Sequence, residues 1–294
     1  MSAAPAPPQM WTVENVLRWA TDDFRSRGIS SPRLDAELLV AHALATTRVQ
    51  LIIDAKRVLE GAELGRLREL VKRRRAREPI AYILGEREFY GRLFRVDGRV
   101  LVPRPDTEVL VDVSLERTRA VSMCMRALDL CTGSGCVAIS LARERPTSFV
   151  CATDVNDGAL ALARENALRL GACNVAFRSG DLFGALSDEA CRFDLVASNP
   201  PYIASAEIAS LPQDVSGFEP REALDGGSDG LEVLRRIVEG ASAHLVPTGA
   251  LAVEVGQGQA HAVVPLFEEA GFQGIDVRRD YGGVERVVSG VLKT

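Results

Sequence analysis

From residue 104 onward, apolar runs of strand length alternate with stretches whose apolar residues recur at helical spacing, and this alternation most narrows the folds open to the chain. The runs are Ala127 to Leu130, Phe149 to Thr153, Val175 to Arg178, Phe193 to Ser198 and Ala250 to Val255. They predict an α/β domain with a mostly parallel sheet covered by helices on both faces. The tail differs. Ile275 to Arg279 and Arg286 to Val291, joined through a Gly-Gly segment, read as an antiparallel C-terminal hairpin at the sheet edge.

The first third has another character. After a Pro/Ala-rich leader over residues 1–9, expected to be disordered, Val13, Val16, Leu17, Ala20 and Phe24 mark a helix with Thr12 as N-cap and Gly28 as stop. Ser31-Pro32 opens a second helix through Leu34, Leu38, Leu39 and Ala45. More helix is predicted from Leu51 to Leu59, and again through Leu64, Leu67, Leu70 and Val71 to the run Lys72-Arg-Arg-Arg-Ala-Arg77. Residues 10–78 thus form a small all-helical unit, a linker with a β-hairpin spans 79–103, and residues 104–294 form the sheet domain. Phe89, Tyr90, Phe94, Val96, Val100 and Val102, with glycines at 85, 91 and 98, carry the hairpin expectation.

Composition removes several classes. With 294 residues, 47% apolar and 26% charged, the chain is neither disordered nor collagenous nor a short disulfide scaffold. No stretch approaches the roughly 18 apolar residues of a spanning helix, and the leader has neither a basic nor an apolar segment, so a cytoplasmic place and no membrane partner are expected. Cys124, Cys131, Cys136, Cys151, Cys173 and Cys191 form no Cys-x-x-Cys pair, and His42, His244 and His261 lie apart, so reduced thiols and no metal are expected. The net charge of −5 is uneven: residues 1–78 carry 14 Lys and Arg against 10 Asp and Glu, and the remainder is acidic.

Asp129-Leu-Cys131-Thr132-Gly133-Ser134-Gly135 follows the first strand of the sheet and opens a helix, where glycines let a ligand approach the helix N-terminus. The Gly-x-Gly-x-x-Ala spacing also fits a dinucleotide site, and Asp154, ending the next strand, would bind ribose hydroxyls of either cofactor. Asp129 tilts the choice, because its charge opposes a pyrophosphate and suits the ammonium of S-adenosylmethionine. Asp181 could accept from an adenine amine while Leu182 packs on the ring. Taken singly, Asp129 could instead cap a turn and Asp181 a helix.

Asn199-Pro200-Pro201-Tyr202 directly follows the run Phe193 to Ser198, and ligands of open α/β sheets bind at such strand ends. An amide or exocyclic amine is a poor nucleophile, because its lone pair is delocalised. A site for it must hold both N–H groups with acceptors. Asn199 offers a side-chain carbonyl, Pro200 a backbone carbonyl on a rigid unit, and Tyr202 an aromatic face for a planar acceptor.

These segments together resemble the class I S-adenosylmethionine-dependent methyltransferases, and more narrowly the protein-(glutamine-N5) methyltransferases of peptide chain release factors. The narrower resemblance rests on Ser31 to Glu37, Glu78 to Gly85, Glu88-Phe-Tyr, Val102-Pro-Arg-Pro-Asp-Thr-Glu108, Phe218-Glu-Pro220 and Arg279-Asp-Tyr-Gly282 with Glu285-Arg286. It implies a Rossmann-like sheet and S-adenosyl-L-methionine held by Cys131 to Gly135, Asp154, Leu182 and Asn199. It further implies that Asn199 to Tyr202 hold the acceptor glutamine, and that the N-terminal helices recognise a release factor whose Gly-Gly-Gln loop enters the pocket. A monomer without stable nucleic-acid binding is expected. The alternative is an aminomethyltransferase acting on adenine or guanine in RNA or DNA, for which the basic run Lys72 to Arg77 would speak.

Overall fold

The structure is a computed structural model and describes residues 10–121, 124–186 and 192–293; the leader 1–9 and Cys191 lie outside the described residues. Its two compact units are Met1–Leu84 and Gly85–Thr294.

In the first unit, helices span Val13–Ser26, Pro32–Ala43, Arg48–Ile53, Gly61–Arg75 and Ile80–Leu84. Thr12 caps the first, its hydroxyl accepting from the Asn15 N–H at 3.3 Å. Ser31 makes no such bond, and proline at the first turn starts that helix instead. The helix expected from Leu51 to Leu59 stops at Ile53. Beyond it the backbone is drawn into pairing with the N-terminal segment: Val13 N donates to Arg57 O at 3.0 Å and Leu59 N to Trp11 O at 2.8 Å. Leu51 and Leu59 are both buried with Val13, Phe24, Leu39 and Leu67, but from different elements. A further short helix, Ile80–Leu84, follows Pro79 and closes this unit.

The basic run serves this unit internally. Arg73 forks onto Glu78 at 2.8 and 2.5 Å, and Arg75 onto Asp23 at 2.8 and 2.7 Å. Arg74 Nε donates to Asp35 at 2.7 Å, with both side chains about 95% buried. Arg77 donates to the carbonyls of Arg27 and Gly28.

The second unit begins with the hairpin β1 (Glu86–Phe89) and β2 (Arg92–Arg95), turned by Tyr90 and Gly91, both at positive φ. Phe89 and Phe94 are buried among Val109, Leu110 and Val113, so the hairpin packs on the core of this unit. The sheet strands are β3 (Arg126–Leu130), β4 (Phe149–Asp154), β5 (Val175–Ser179), β6 (Phe193–Ser198), β7 (Leu245–Glu254), β8 (Phe272–Arg279) and β9 (Glu285–Leu292). Their order is β5-β4-β3-β6-β7-β9-β8. The first five of these pair in parallel, while β9 runs antiparallel to both its neighbours.

Alternate residues of the strands feed two cores. Ala127, Val150, Leu195 and Ala252 face one helical layer, and Leu128, Cys151, Val196 and Val253 face the other. Between β3 and β6 the chain order switches direction. That is the crevice where an open α/β sheet binds its ligand.

Candidate functional site

A cavity of about 280 Å³ opens at the carboxyl ends of β3, β4 and β6. It is lined by Asp129, Cys131 to Ser134, Asp154, Asp181, Leu182, Asn199 and Pro201, all singled out from the sequence. Gly135, Pro200 and Tyr202 do not line it.

The turn after β3 is built to bring backbone close to whatever fills this space. Cys131, Gly133 and Gly135 all have positive φ, at 58, 54 and 81°. At Gly135, which starts the helix Cys136–Glu144, a Cβ would stand 2.9 Å from Ile139 Cδ1 and 3.2 Å from Ala163 Cβ. Asp154 closes the turn, accepting from Gly133 N at 2.8 Å and Asn156 N at 2.9 Å. Its burial raises its pKa. The Thr132 amide donates to Thr153 O at 3.0 Å.

Asp129 is 1% exposed. Its Oδ2 accepts from the Thr132 hydroxyl at 2.6 Å and from Ala138 N at 3.2 Å, so it does cap the turn. Burial nonetheless pushes its pKa up to about 7 against those two bonds. It has no salt-bridge partner among the described residues. A buried carboxylate with no cation beside it fits a ligand that brings one.

Asp181 makes no helix-capping bond. Its carboxylate is half exposed and meets Arg236 at 2.5 Å, at the cavity rim. Leu182 follows at positive φ and is buried against the cavity, which makes an apolar surface where a flat ring could lie.

At the end of β6, Asn199 turns its Nδ2 to the hydroxyl of Thr107 at 3.1 Å. Pro200 is buried. Tyr202 donates its hydroxyl to Glu254 Oε1 at 3.3 Å. Glu254 ends β7, is 1% exposed, and has a pKa pushed up to about 7 by burial, with the Thr107 hydroxyl and the Arg286 charge working the other way. Neither Thr107 nor Glu254 was picked out from the sequence as a site residue. Thr107 lay inside the Pro-Arg-Pro-Asp-Thr-Glu motif, and Glu254 is the one acid in the apolar run Ala250 to Val255. A carboxylate inside a strand buried on both faces was the available signal.

A parallel sheet with an antiparallel final pair, an acidic glycine turn after β3 and Asn-Pro-Pro-Tyr after β6 together define a class I methyltransferase. The chain matches the family models described as PrmC N-terminal domain over residues 15–85 and methyltransferase small domain over residues 106–212. It is 44% identical to a release factor glutamine methyltransferase of Geobacter sulfurreducens, an alignment covering 96% of this chain and 98% of that protein. A release factor glutamine methyltransferase of Vibrio cholerae is 41% identical, with 96% of this chain and 98% of that one covered. Among solved structures, a methyltransferase from Pyrococcus furiosus shares the fold with a TM-score of 0.51 at 18% identity, over 70% of this chain and 91% of that one. The chain belongs to the release factor glutamine methyltransferase family.

Proposed function

We infer that this chain is an enzyme that transfers a methyl group from S-adenosyl-L-methionine to the side-chain amide nitrogen of a glutamine in a peptide chain release factor, at the Gly-Gly-Gln motif. The observation that carries the reading is that the glycine turn, the acidic residues and Asn199 line a single cavity at the sheet's switch point.

The donor supplies an activated methyl on a cationic sulfur, so transfer neutralises the sulfonium while charge develops on nitrogen. The residues of the chain have the remaining tasks. Asp129 lies where it can balance the donor's ammonium, the backbone from Cys131 to Gly135 leaves room for its methionine portion, Asp154 accepts from the ribose, and Leu182 with Asp181 receives the adenine. Asn199 accepts one N–H of the glutamine amide through Oδ1, and the carbonyl of Pro200, buried itself but set between the lining residues Asn199 and Pro201, accepts the other, which draws the nitrogen toward tetrahedral geometry as it attacks. Pro201 forms the adjoining wall, and Tyr202 holds the loop through Glu254. The surplus proton leaves after transfer, so no general base is needed.

The helical unit is proposed to recognise the release factor. The nucleic-acid alternative loses its main support, because the arginines of the basic run are engaged within that unit. Among the described residues no helix is long and apolar enough to cross a membrane. We place the enzyme in the cytoplasm, where release factors work, as a monomer without stable nucleic-acid binding. The test is transfer of labelled methyl from the donor to an intact release factor. Label is expected on the factor and absent when its Gly-Gly-Gln glutamine is replaced; label on bulk RNA instead would overturn the reading.

A further inference from the structure

Two motifs take no direct part in the chemistry above: the loop Pro103 to Glu108 and the tail turn Arg279 to Arg286. The fold brings them together behind Asn199. Thr107, 1% exposed, receives the Asn199 Nδ2 at 3.1 Å. The Thr107 hydroxyl also stabilises the charged form of the buried Glu254 carboxylate. Glu254 Oε1 accepts from Tyr202 at 3.3 Å, and Oε2 is buried without a hydrogen-bond partner. From the tail, Arg286 reaches Asp106 at 3.2 Å and Asp280 at 3.1 Å, and so pins the residue before Thr107. Asp280 in turn accepts from Gly282 N and Val284 N, both at 2.9 Å, which shapes the turn that carries Arg286.

The polarity of this chain of groups follows from what each can do. A carboxylate only accepts, so Thr107 gives its single hydroxyl proton to Glu254 and keeps a lone pair for an N–H. Asn199 must then commit its NH₂ to Thr107, which leaves its carbonyl oxygen for the cavity. Without a directional partner an amide can turn over and offer N–H groups instead, and those would oppose the N–H of an acceptor amide.

We propose that Glu254, acting through Thr107, is a positioning residue that fixes the Asn199 amide with its carbonyl toward the acceptor nitrogen. This rests on the glutamine-methylating reading, and the wild-type assay on a release factor tests that reading by itself.

The inference is tested by a double-mutant cycle on the full chain, with Thr107→Val, Asn199→Ala and the pair. Thr107→Val is expected to lower kcat by about 10²-fold with KM for the release factor and donor affinity within about two-fold, in line with loss of one group that acts in the transition state. Thr107→Ser, which restores the hydroxyl, should recover most of that loss. Once Asn199 is alanine, Thr107→Val should cost little more. Full additivity of the two substitutions, or no difference between valine and serine at 107, would overturn the proposal. Glu254→Gln, checked for folding by thermal unfolding, should lower kcat at least ten-fold with donor affinity kept; unchanged turnover would equally overturn it.

Discussion

Asp129 is kept largely uncharged by its burial until the pH reaches about 7, and it attracts a cationic ligand only when it has given up its proton. Its carboxylate form is the one that favours the donor's ammonium, so donor affinity should rise as pH rises through about 7 and weaken below it. Titration calorimetry across that range checks this, and Asp129→Asn should bind more weakly and lose the dependence. Glu254 has a similar value for a similar reason but acts on another quantity. It faces Tyr202 from the loop after β6, Arg286 from β9, Asp106 from the loop before residue 108, and the Cys136 thiol from the helix after the glycine turn. Protonated Glu254 can donate to Thr107 and reverse the polarity that holds Asn199. At saturating donor, kcat should therefore fall as pH drops through about 7, and Glu254→Gln should remove that limb from the profile.

Glycine and arginine positions carry the predictions at the scale of elements. Gly135→Ala adds a Cβ at a positive φ and 2.9 Å from Ile139, a left-handed cost of about 1–2 kcal/mol plus crowding of similar size. The variant should unfold at lower temperature and bind the donor more weakly. Arg74→Ala removes the buried ion pair with Asp35, for which a loss of about 3–5 kcal/mol is expected, read as a lower denaturant midpoint for the helical unit. The same geometry shows why the run Lys72 to Arg77 read in sequence as unpaired positive charge. Charge along a helix is visible in sequence, but its acidic partners Asp23 and Asp35 lie on other helices. The helix expected from Leu51 to Leu59 failed in a related way, since apolar spacing records burial and cannot tell one long helix from a short helix followed by an extended segment. By contrast, the five parallel strands were legible, β3, β4, β6 and β7 because strands covered by helices are apolar over most of their length, and the tail hairpin showed through its Gly-Gly segment.

For the whole molecule, the part of the cavity proposed to hold the donor was readable as a cluster because its parts are local: an aspartate, a glycine turn and a strand end lie in chain order. The acceptor side was only half readable. Asn199 is local, but what aims it, Thr107 and Glu254, stands 92 and 52 residues from Asn199 and Tyr202, the groups they bond. Only the folded sheet, which sets the end of β7 beside the end of β6, joins them.

The most direct measurement is fragmentation mass spectrometry of a release factor incubated with the enzyme and S-adenosyl-L-methionine. One added methyl on the side-chain nitrogen of the Gly-Gly-Gln glutamine is predicted, and it should fall sharply with Asn199→Ala while donor binding persists. An unmodified glutamine under conditions where the enzyme is folded and binds its donor would contradict the account.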